Sequence, residues 1–378
     1  MQQNTGQTMD SPNPAALPAP QKLTFSYVRR PGLLKITLIN LVFNLLTFSI
    51  YRFWGKTNVR RHIWSCVHIN GEPLEYTGTG MELFKGFLFV FGLIILPFIL
   101  LSAFLQAAYG QQSPAAGAVS GLFFLFVYVM FGYAIYKARR YQLTRTLWRG
   151  IRGDLVGSAM TYSLVYFGSM LAKGASLGWA TPVMNTVLHE QITNEMRFGD
   201  AAFKFKGRAG PLYPTYALCW VLSFLALIGA AVGISVAIYW MQQNFPDLGS
   251  KHVSGHTILV IAMLLLLFIG YMLIIPALWA IYSAKQMRVF ADYTRFDGAQ
   301  FRLKATAGSI IWMTVANLLI LIFTLGIGWP FIQQRVYRYV IDRLSLEGAI
   351  DLERIAQSAR AIPRRGEGLA DAFDVSAW

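Results

Sequence analysis

The sequence predicts an all-α polytopic membrane protein built from quasi-repeated units. Each unit combines an embedded apolar segment, an amphipathic helix and a long helix pair, with short cytoplasmic β-strands. Only 13% of the 378 residues are charged and 55% are hydrophobic, whereas soluble domains carry about 25% charged residues. Four apolar runs are long enough to cross a bilayer. A succession of apolar and basic segments also occurs three times along the chain.

The charge balance excludes one class of function. The chain carries 33 Lys and Arg residues against 18 Asp and Glu, a formal net charge of +15. In a soluble protein this excess would favour nucleic-acid binding. Here the mean hydropathy of +0.45 makes the positive-inside bias of membrane proteins the better explanation. No nucleic-acid partner is therefore predicted. Cys66 and Cys219 stand in different segments, so we predict no disulfide framework, metal site or cofactor.

The four apolar runs predict membrane-spanning helices, and the loops between them predict an orientation. The loop at 106–119 has no charge, and the loop at 241–256 holds only Asp247 and Lys251 besides two histidines. The other connections are rich in Lys and Arg, which favours the cytoplasmic side. We therefore expect both termini in the cytoplasm. The runs are 84–105, 120–136, 212–240 and 257–282.

Self-similarity along the chain predicts an internal repeat. Thr47 and its neighbours align with Thr324 at an offset that also places Asn40 on Asn317. A middle copy is looser. Such repetition is typical of an assembly built by duplication. The predicted organisation is a disordered N-terminal tail at 1–22, unit 1 at 23–138, unit 2 at 139–284, a partial unit 3 at 285–352 and a C-terminal cytoplasmic tail at 353–378.

The first apolar segment of each unit poses a topological problem. The segments at 33–51, 155–182 and 308–330 have basic, strand-bearing sequence on both sides. If each crossed the membrane, half of the Arg-rich helices would lie outside, against the positive-inside rule. We therefore favour embedded hairpins that return to the cytoplasmic side, and seven full spans are the alternative. The turns would lie at Tyr51, Gly178 and 326–330.

Short alternating stretches predict strands between the helices. Each lies in a basic segment on the predicted cytoplasmic side. We expect these strands to join one small cytoplasmic sheet. They are 25–27, 74–76, 203–205, 301–303 and 349–351.

Three amphipathic segments, at 55–69, 187–196 and 331–344, combine an apolar stripe with basic residues. Helices of this kind lie in the headgroup layer, and each basic residue near anionic lipid contributes about 1 kcal/mol. We therefore predict membrane lipids as partners, with anionic headgroups on the cytoplasmic side. Simple anchoring of the fold is the competing interpretation. The predicted lipid contacts are Lys56, Arg60, Arg61, Arg335, Arg338 and Arg343.

Polar residues inside the shorter apolar segments are the candidates for a membrane cavity. Asn40 and Asn317 need hydrogen-bond partners in hydrocarbon, so they pair across segments or line a cavity. Lys173 lies near the middle break and is a candidate for a solute path. The four long runs have no charged residue or His in their interiors. That absence disfavours an ion-coupled transporter.

Two further motifs have a simple structural explanation. The sequence YTGTG at 76–80 could hold phosphate at a helix N-terminus, but it lacks the Lys and Ser/Thr of a P-loop. A turn with positive φ at glycine is the simpler interpretation, and Thr79 and Glu82 have capping-box spacing. Glu72, Glu75 and Glu82 cluster near a basic face, where ion pairing explains them.

The histidines predict neither catalysis nor a complete metal site. His252 and His256 are four residues apart and could share a helix face as metal ligands, but an ordinary solvated loop explains them without a third ligand. His62, His68 and His189 lie in amphipathic segments, where we expect them at the membrane interface. The sequence shows no nucleophile, acid–base or paired-carboxylate pattern. We therefore predict that the protein is not an enzyme.

Consecutive motifs near the N-terminus resemble a known family. They are LTFSIYRFW at 46–54, VRR at 59–61 and GEPLEYTGTGMELFKG at 71–86. In these motifs the chain is similar to the YjgN family of bacterial inner-membrane proteins, a domain of unknown function. The likeness is close over about 23–90 and recurs at 301–340. It implies a bacterial inner-membrane location and supplies no catalytic or ligand residues.

Three functions are consistent with these observations. The first is passage or handling of a lipid or other amphiphilic solute by the embedded hairpins. The second is a structural or partner-binding role without transport, since no chemical motif is present. The third, a membrane enzyme, would require a buried cluster of carboxylates or histidines. The sequence does not decide between the first two.

Overall fold

A computed structural model describes residues 22–110, 113–244 and 255–357 of the chain. Almost all of the predicted N-terminal tail therefore lies outside the described residues, as does most of the predicted C-terminal tail. His252 lies outside them as well. The helices are α1 Leu33–Leu46, α2 Arg52–Cys66, α3 Gly80–Val90, α4 Leu96–Tyr109, α5 Pro114–Thr144, α6 Ala159–Ala175, α7 Thr181–Glu195, α8 Tyr213–Asn244, α9 Gly255–Tyr293, α10 Ala307–Phe323 and α11 Trp329–Ile341.

Four helical segments in the described residues are long and apolar enough to cross a membrane, as the four apolar runs predicted. The first joins α3 and α4 through a π-helical turn at Phe91–Ile95. Pro97 lies two residues after this turn, and a proline in a helix removes one backbone donor and disturbs the preceding turn. The segments are Gly80–Tyr109, Pro114–Thr144, Gly210–Trp240 and Ala262–Tyr293.

The strands form two antiparallel sheets, which is more β-structure than the sequence predicted. One sheet has three strands in the order β1-β2-β3, and the other has eight in the order β11-β10-β9-β8-β7-β6-β5-β4. The prediction of one small sheet is therefore wrong in size and connectivity. The strands are β1 Phe25–Tyr27, β2 Val67–Ile69, β3 Glu72–Pro73, β4 Glu75–Tyr76, β5 Thr146–Trp148, β6 Ile151–Leu155, β7 Met196–Phe198, β8 Ala201–Phe205, β9 Thr294–Phe296, β10 Ala299–Leu303 and β11 Leu344–Glu347.

Four of the five predicted strands overlap observed ones, and the last is misplaced. The stretch at 349–351 is not the final strand, because Leu344–Glu347 pairs with β10 instead. The missed strands form hairpins through tight turns. Asp297-Gly298, like Asn70-Gly71, has positive φ at both positions, which matches the twist of a two-residue hairpin.

The pairing of strands determines how the short helical hairpins run. β1 pairs with β2, β6 with β7, and β10 with β11. Each of these pairs flanks one helical hairpin, α1/α2, α6/α7 or α10/α11. In each short hairpin, the chain therefore enters and leaves next to one and the same sheet. Seven full spans would place the flanking strands on opposite sides, so the pairing contradicts that alternative. α1 has 14 residues, about 21 Å, against about 30 Å of bilayer hydrocarbon.

The three short hairpins turn with the same hydrogen bonds. In the first, the Thr47 hydroxyl accepts from the amide four residues ahead at 2.9 Å. Thr324 and Ser176 accept in the same way in the other two, also at 2.9 Å. Phe48, Leu177 and Leu325 follow these residues with positive φ, and the side chain of Leu325 is 90% exposed. Each hairpin thus ends in an exposed apolar tip.

The apolar faces of the amphipathic helices pack on protein. On α2, Val59, Ile63 and Cys66 are buried. Val59 and Ile63 belong to a core shared with Leu83 of α3. On α11, Tyr339 is buried against α9 and α10. These contacts favour the competing interpretation, that the helices anchor the fold, and contact with lipid headgroups stays a prediction. Helical periodicity shows that a face is covered by apolar groups without showing which groups cover it.

The start of the predicted C-terminal tail packs on the sheet. Ile355 is buried in the sheet core, the Gln357 amide donates to Gly150 O at 2.8 Å, and Ala356 N donates to Asp200 Oδ1 at 3.0 Å. Arg354 also pairs with Asp297. Residues 352–357 therefore form a strap across three β-hairpin turns.

Candidate functional site

The candidate site is a cavity of about 310 Å³ between the first hairpin and the tip of the third. One wall comes from α1 and α2, and the other from the turn before α11 and its first residues. We call it the polar cavity. The side chains and backbone that line it belong to Thr37, Asn40, Leu41, Asn44, Arg52, Gly55, Lys56, Val59, Arg60, Gly326, Ile327, Trp329, Pro330 and Gln333.

Two amides on α1 supply the acceptors of the polar cavity. Asn40 and Asn44 are one helical turn apart and therefore share a face. The Asn40 Nδ2 donates to Gly55 O at 3.2 Å. The Oδ1 atoms of both side chains are buried and have no hydrogen-bond partner within the part of the chain that the structure describes. A buried unpaired acceptor costs about 1–3 kcal/mol, so both oxygens would gain from a donor on a bound molecule.

Glycine at position 55 allows α1 and α2 to approach each other. A Cβ built there would lie 3.2 Å from Asn40 Cγ, closer than ordinary van der Waals contact. The absence of a side chain at Gly55 lets the Asn40 amide lie against the α2 backbone. The cavity wall therefore depends on a small residue at this crossing.

Three cations line the same cavity from α2. Arg52, Lys56 and Arg60 recur every fourth residue, which places them along one side of the helix. The Arg52 guanidinium lies 5.0 Å from the centroid of the Phe53 ring and 5.4 Å from that of Phe87. Aromatic faces at such distances attract a cation and fix its position. Together, the cations and the amide oxygens can bind an anionic group that also carries hydrogen-bond donors.

The structure brings three of the predicted site residues together in the polar cavity. Asn40 was predicted as a membrane-cavity residue, and Lys56 and Arg60 as lipid contacts. Sequence reasoning missed the roles of Arg52 and Gln333. Helical spacing from the predicted cations would have found Arg52. Nothing in the sequence places Gln333 of the third hairpin beside the first.

The other predicted site residues lie elsewhere. The Lys173 Nζ donates to Asn185 Oδ1 at 2.8 Å and joins α6 to α7. Asn317 lies on α10, and its buried Oδ1 has no hydrogen-bond partner in the described ranges. Arg335 lies on α11, partly exposed. The remaining three bind nearby groups: Arg61 donates to Gly78 O at 3.2 Å, Arg338 pairs with Asp342 at 3.4 Å, and the Arg343 guanidinium lies 4.1 Å from the centroid of the Tyr339 ring.

Two of the three clustered acidic residues, Glu72 and Glu82, form ion pairs as predicted. Arg145 binds both carboxylate oxygens of Glu82 at 3.2 and 2.8 Å, and the Tyr141 hydroxyl donates to Glu82 at 2.9 Å. Arg149 pairs with Glu72 at 2.7 Å. Hydrogen bonds from Arg149 lower the pKa of the Glu72 carboxyl. These contacts join β3 and the start of α3 to the end of α5 and the turn after β5.

The YTGTG turn caps α3 as predicted, but its glycines have a different role from the one predicted. Thr79 and Glu82 form the predicted capping box. Neither Gly78 nor Gly80 has positive φ. A Cβ at Gly80 would lie 2.7 Å from Trp54 Cα, so the glycine permits close packing of α3 on α2. The expectation of positive φ in this turn is therefore wrong.

Two of the three histidines expected at the membrane interface, His189 and His68, pack within the protein. His189 lies between two rings, with centroids 4.9 Å from Phe205 and 4.3 Å from Phe290. Its burial lowers its pKa to about 4. His68 is also buried, with its Nδ1 at 3.1 Å from the carbonyl of Cys66. Among residues 22–110, 113–244 and 255–357, no group of three His, Cys, Asp or Glu side chains is arranged to hold a metal ion.

These features define a class of protein: a polytopic membrane protein with four candidate spans, three short helical hairpins and antiparallel sheets that join their ends. The chain belongs to the family described as bacterial protein of unknown function (DUF898), whose profile matches residues 26–372. It is similar to the inner membrane protein YjgN of Salmonella typhimurium, with 22% identity over 354 residues, 84% of this chain and 86% of that protein. The predicted resemblance is confirmed. No solved structure matches the chain.

Proposed function

We propose that the protein is a multi-pass protein of the bacterial inner membrane that binds and handles an anionic amphiphile in the polar cavity. The main observation is that three cations and two unpartnered amide oxygens line one cavity between two hairpins. The name of the Salmonella relative supports the inner-membrane location. The proposed role is binding or passage without catalysis.

An anionic phospholipid headgroup has the chemistry that this cavity would bind. Its phosphate would lie near Arg52, Lys56 and Arg60, since charge-assisted hydrogen bonds to phosphate are among the strongest in proteins. Its hydroxyl groups would donate to the amide oxygens of Asn40 and Asn44. The exposed apolar residues at the hairpin tips would lie beside its acyl chains.

We also propose how the protein is oriented in the membrane. The sheets and both termini lie on the cytoplasmic side, because the basic residues adjoin the strands. The short hairpins enter the cytoplasmic leaflet and return, and their apolar tips remain in hydrocarbon. Irregular backbone at that depth is tolerated where protein or a polar cavity surrounds it. The shared turn hydrogen bonds support duplication of units 23–138, 139–284 and 285–352.

The binding proposal is tested by native mass spectrometry from nanodiscs of phosphatidylethanolamine with a minor fraction of phosphatidylglycerol. We expect one phosphatidylglycerol to remain bound to each wild-type chain. The double variant Lys56→Gln/Arg60→Gln removes two charges worth about 1 kcal/mol each near anionic lipid, so retention should fall roughly 30-fold.

The matched control is Arg61→Gln, which makes the same change one residue further along α2. Arg61 is exposed and donates to Gly78 O, outside the cavity. We expect it to retain lipid as the wild type does. Equal losses in both variants would instead assign the effect to general surface charge. Retention of bulk lipid without preference would favour a structural or partner-binding protein.

The proposal that the short hairpins are embedded in the membrane leads to a separate prediction. Cys66 and Cys219 are both buried, so a thiol-reactive NBD probe on Leu325→Cys should report the tip of the third hairpin. We expect blue-shifted emission and protection from an aqueous quencher in nanodiscs. The same probe on Glu353→Cys, which is exposed on the strap, should be quenched. Equal quenching at both positions would contradict embedding.

A further inference from the structure

A second cavity lies between the sheets and the ends of the helices. It measures about 600 Å³, and the strands supply aromatic residues to its wall, such as Trp148, Phe296 and Phe301. Side chains of α5, α7 and α9 close the opposite wall, and Leu352 of the strap contributes to the lining. We call it the aromatic cavity. It shares no residue with the polar cavity.

The aromatic cavity has the size and lining of a ligand site. Protein interiors contain few voids larger than a water molecule, whereas small-molecule pockets measure about 300–1,000 Å³ and are mostly apolar with a few placed polar groups. The Phe203 ring stacks on Phe296 at 4.5 Å between centroids and lies 6.1 Å from Phe301. These contacts hold the aromatic wall in a fixed arrangement.

One hydrogen-bond donor in this wall has no partner. Trp148 is 4% exposed, and its indole Nε1–H makes no hydrogen bond within the residues that the structure describes. An indole nitrogen is a donor only, and buried Trp N–H groups usually find an acceptor. The ring itself is held by Phe198, at 5.8 Å between centroids, and by Arg149, at 5.0 Å.

We infer that the aromatic cavity binds an uncharged lipid-soluble molecule whose hydrocarbon chain fills the apolar space and whose single carbonyl oxygen accepts from Trp148 Nε1–H. An alkane would leave the donor unpaired. A carboxylate would place a charge against a mainly apolar wall in which Arg197 already donates to Asp200 O at 3.2 Å, which is unfavourable. A fatty ester has a carbonyl oxygen that can accept from the indole and carries no charge, so it meets both requirements. The inference does not depend on the proposed role of the polar cavity.

Photo-crosslinking tests this assignment on the full chain in nanodiscs, with a diazirine-bearing methyl palmitate as the probe. We expect crosslinks in peptides that contain the lining residues of β7 to β10. Unlabelled competitors of the same chain length separate the chemistry: methyl palmitate should compete best, hexadecane less well and palmitate least. Crosslinks confined to the exposed faces of the four candidate spans would overturn the proposal, as would equal competition by palmitate or by hexadecane.

Two variants localise the effect. Ala291→Phe introduces a ring into the cavity from α9 and should abolish these crosslinks, whereas Ala262→Phe makes the same change at an exposed position of that helix and should leave them unchanged. Trp148→Phe keeps an aromatic ring without the N–H, and should reduce the advantage of methyl palmitate over hexadecane roughly fivefold, the value of one hydrogen bond. If Ala291→Phe does not elute as a folded species, the Trp148→Phe comparison decides alone. An unchanged advantage would overturn the assignment.

Discussion

Replacing Gly132 by Ala is expected to destabilise the protein by about 1–3 kcal/mol, the usual cost of overpacking a tight contact. Gly132 lies in α5 where α6 crosses it. A Cβ there would lie 2.7 Å from Tyr166 Cβ and 3.0 Å from Ser163 Cα. Both atoms belong to or adjoin the backbone of α6, so the helices would have to separate. The Ser163 hydroxyl, which donates to Val129 O, would lose its position in the same movement.

The control is Gly121→Ala in the same helix, where no atom lies within 4 Å of the new Cβ. Alanine is the better helix former by about 1 kcal/mol, so this variant should be as stable as the wild type or more so. Thermal unfolding in detergent measures both variants. Equal stability of the two would show that α5 and α6 are not in close contact at Gly132.

Lowering the pH from 7 to 5 is expected to remove about 2 kcal/mol of stability through His189 alone. Burial lowers the pKa of His189 from 6.5 to about 4, and the positive charge of Arg139 adds to the shift. Between these values the unfolded chain binds a proton that the folded chain does not. Stability from this residue is therefore complete above about pH 7 and falls as the pH approaches 4.

The variant His189→Phe isolates this contribution from that of the carboxylates. Phenylalanine can occupy the same position between the Phe205 and Phe290 rings, and it does not titrate. We expect the unfolding free energy of the wild type to fall more steeply between pH 7 and pH 5 than that of the variant. Parallel pH profiles would mean that His189 titrates normally and is therefore exposed to water.

Local patterns predicted those parts of the fold that depend on neighbouring residues. The capping box at Thr79 and Glu82 and the breaks that end the short hairpins follow from backbone groups a few residues apart. The apolar runs predicted the candidate spans because length and composition alone decide whether a helix can cross hydrocarbon. Most strands of the two sheets were not predicted, because they have only two to five residues. Many of them also pair with strands that lie on the far side of one or more helices in the sequence.

The candidate site was predicted only in part, because its residues come from segments that are far apart in the sequence. Asn40, Lys56 and Arg60 stood out as polar or basic residues within or beside an apolar segment. Their grouping requires α1 and α2 to pack as a hairpin, and the opposite wall requires residues such as Gln333 from near the end of the chain. The aromatic cavity was not predicted at all, because residues from nearly every strand contribute to it.

The sequence by itself determined that this is a membrane protein of its family, with four candidate spans, three interrupted apolar segments and basic residues beside them. These properties follow from composition and from spacing within single segments. Only the tertiary structure decided that the amphipathic helices pack on protein, that the first and third hairpins enclose the polar cavity, and that the strands surround the aromatic one. An apolar face is equally satisfied by lipid or by another helix, so its partner depends on contacts between segments far apart in the chain.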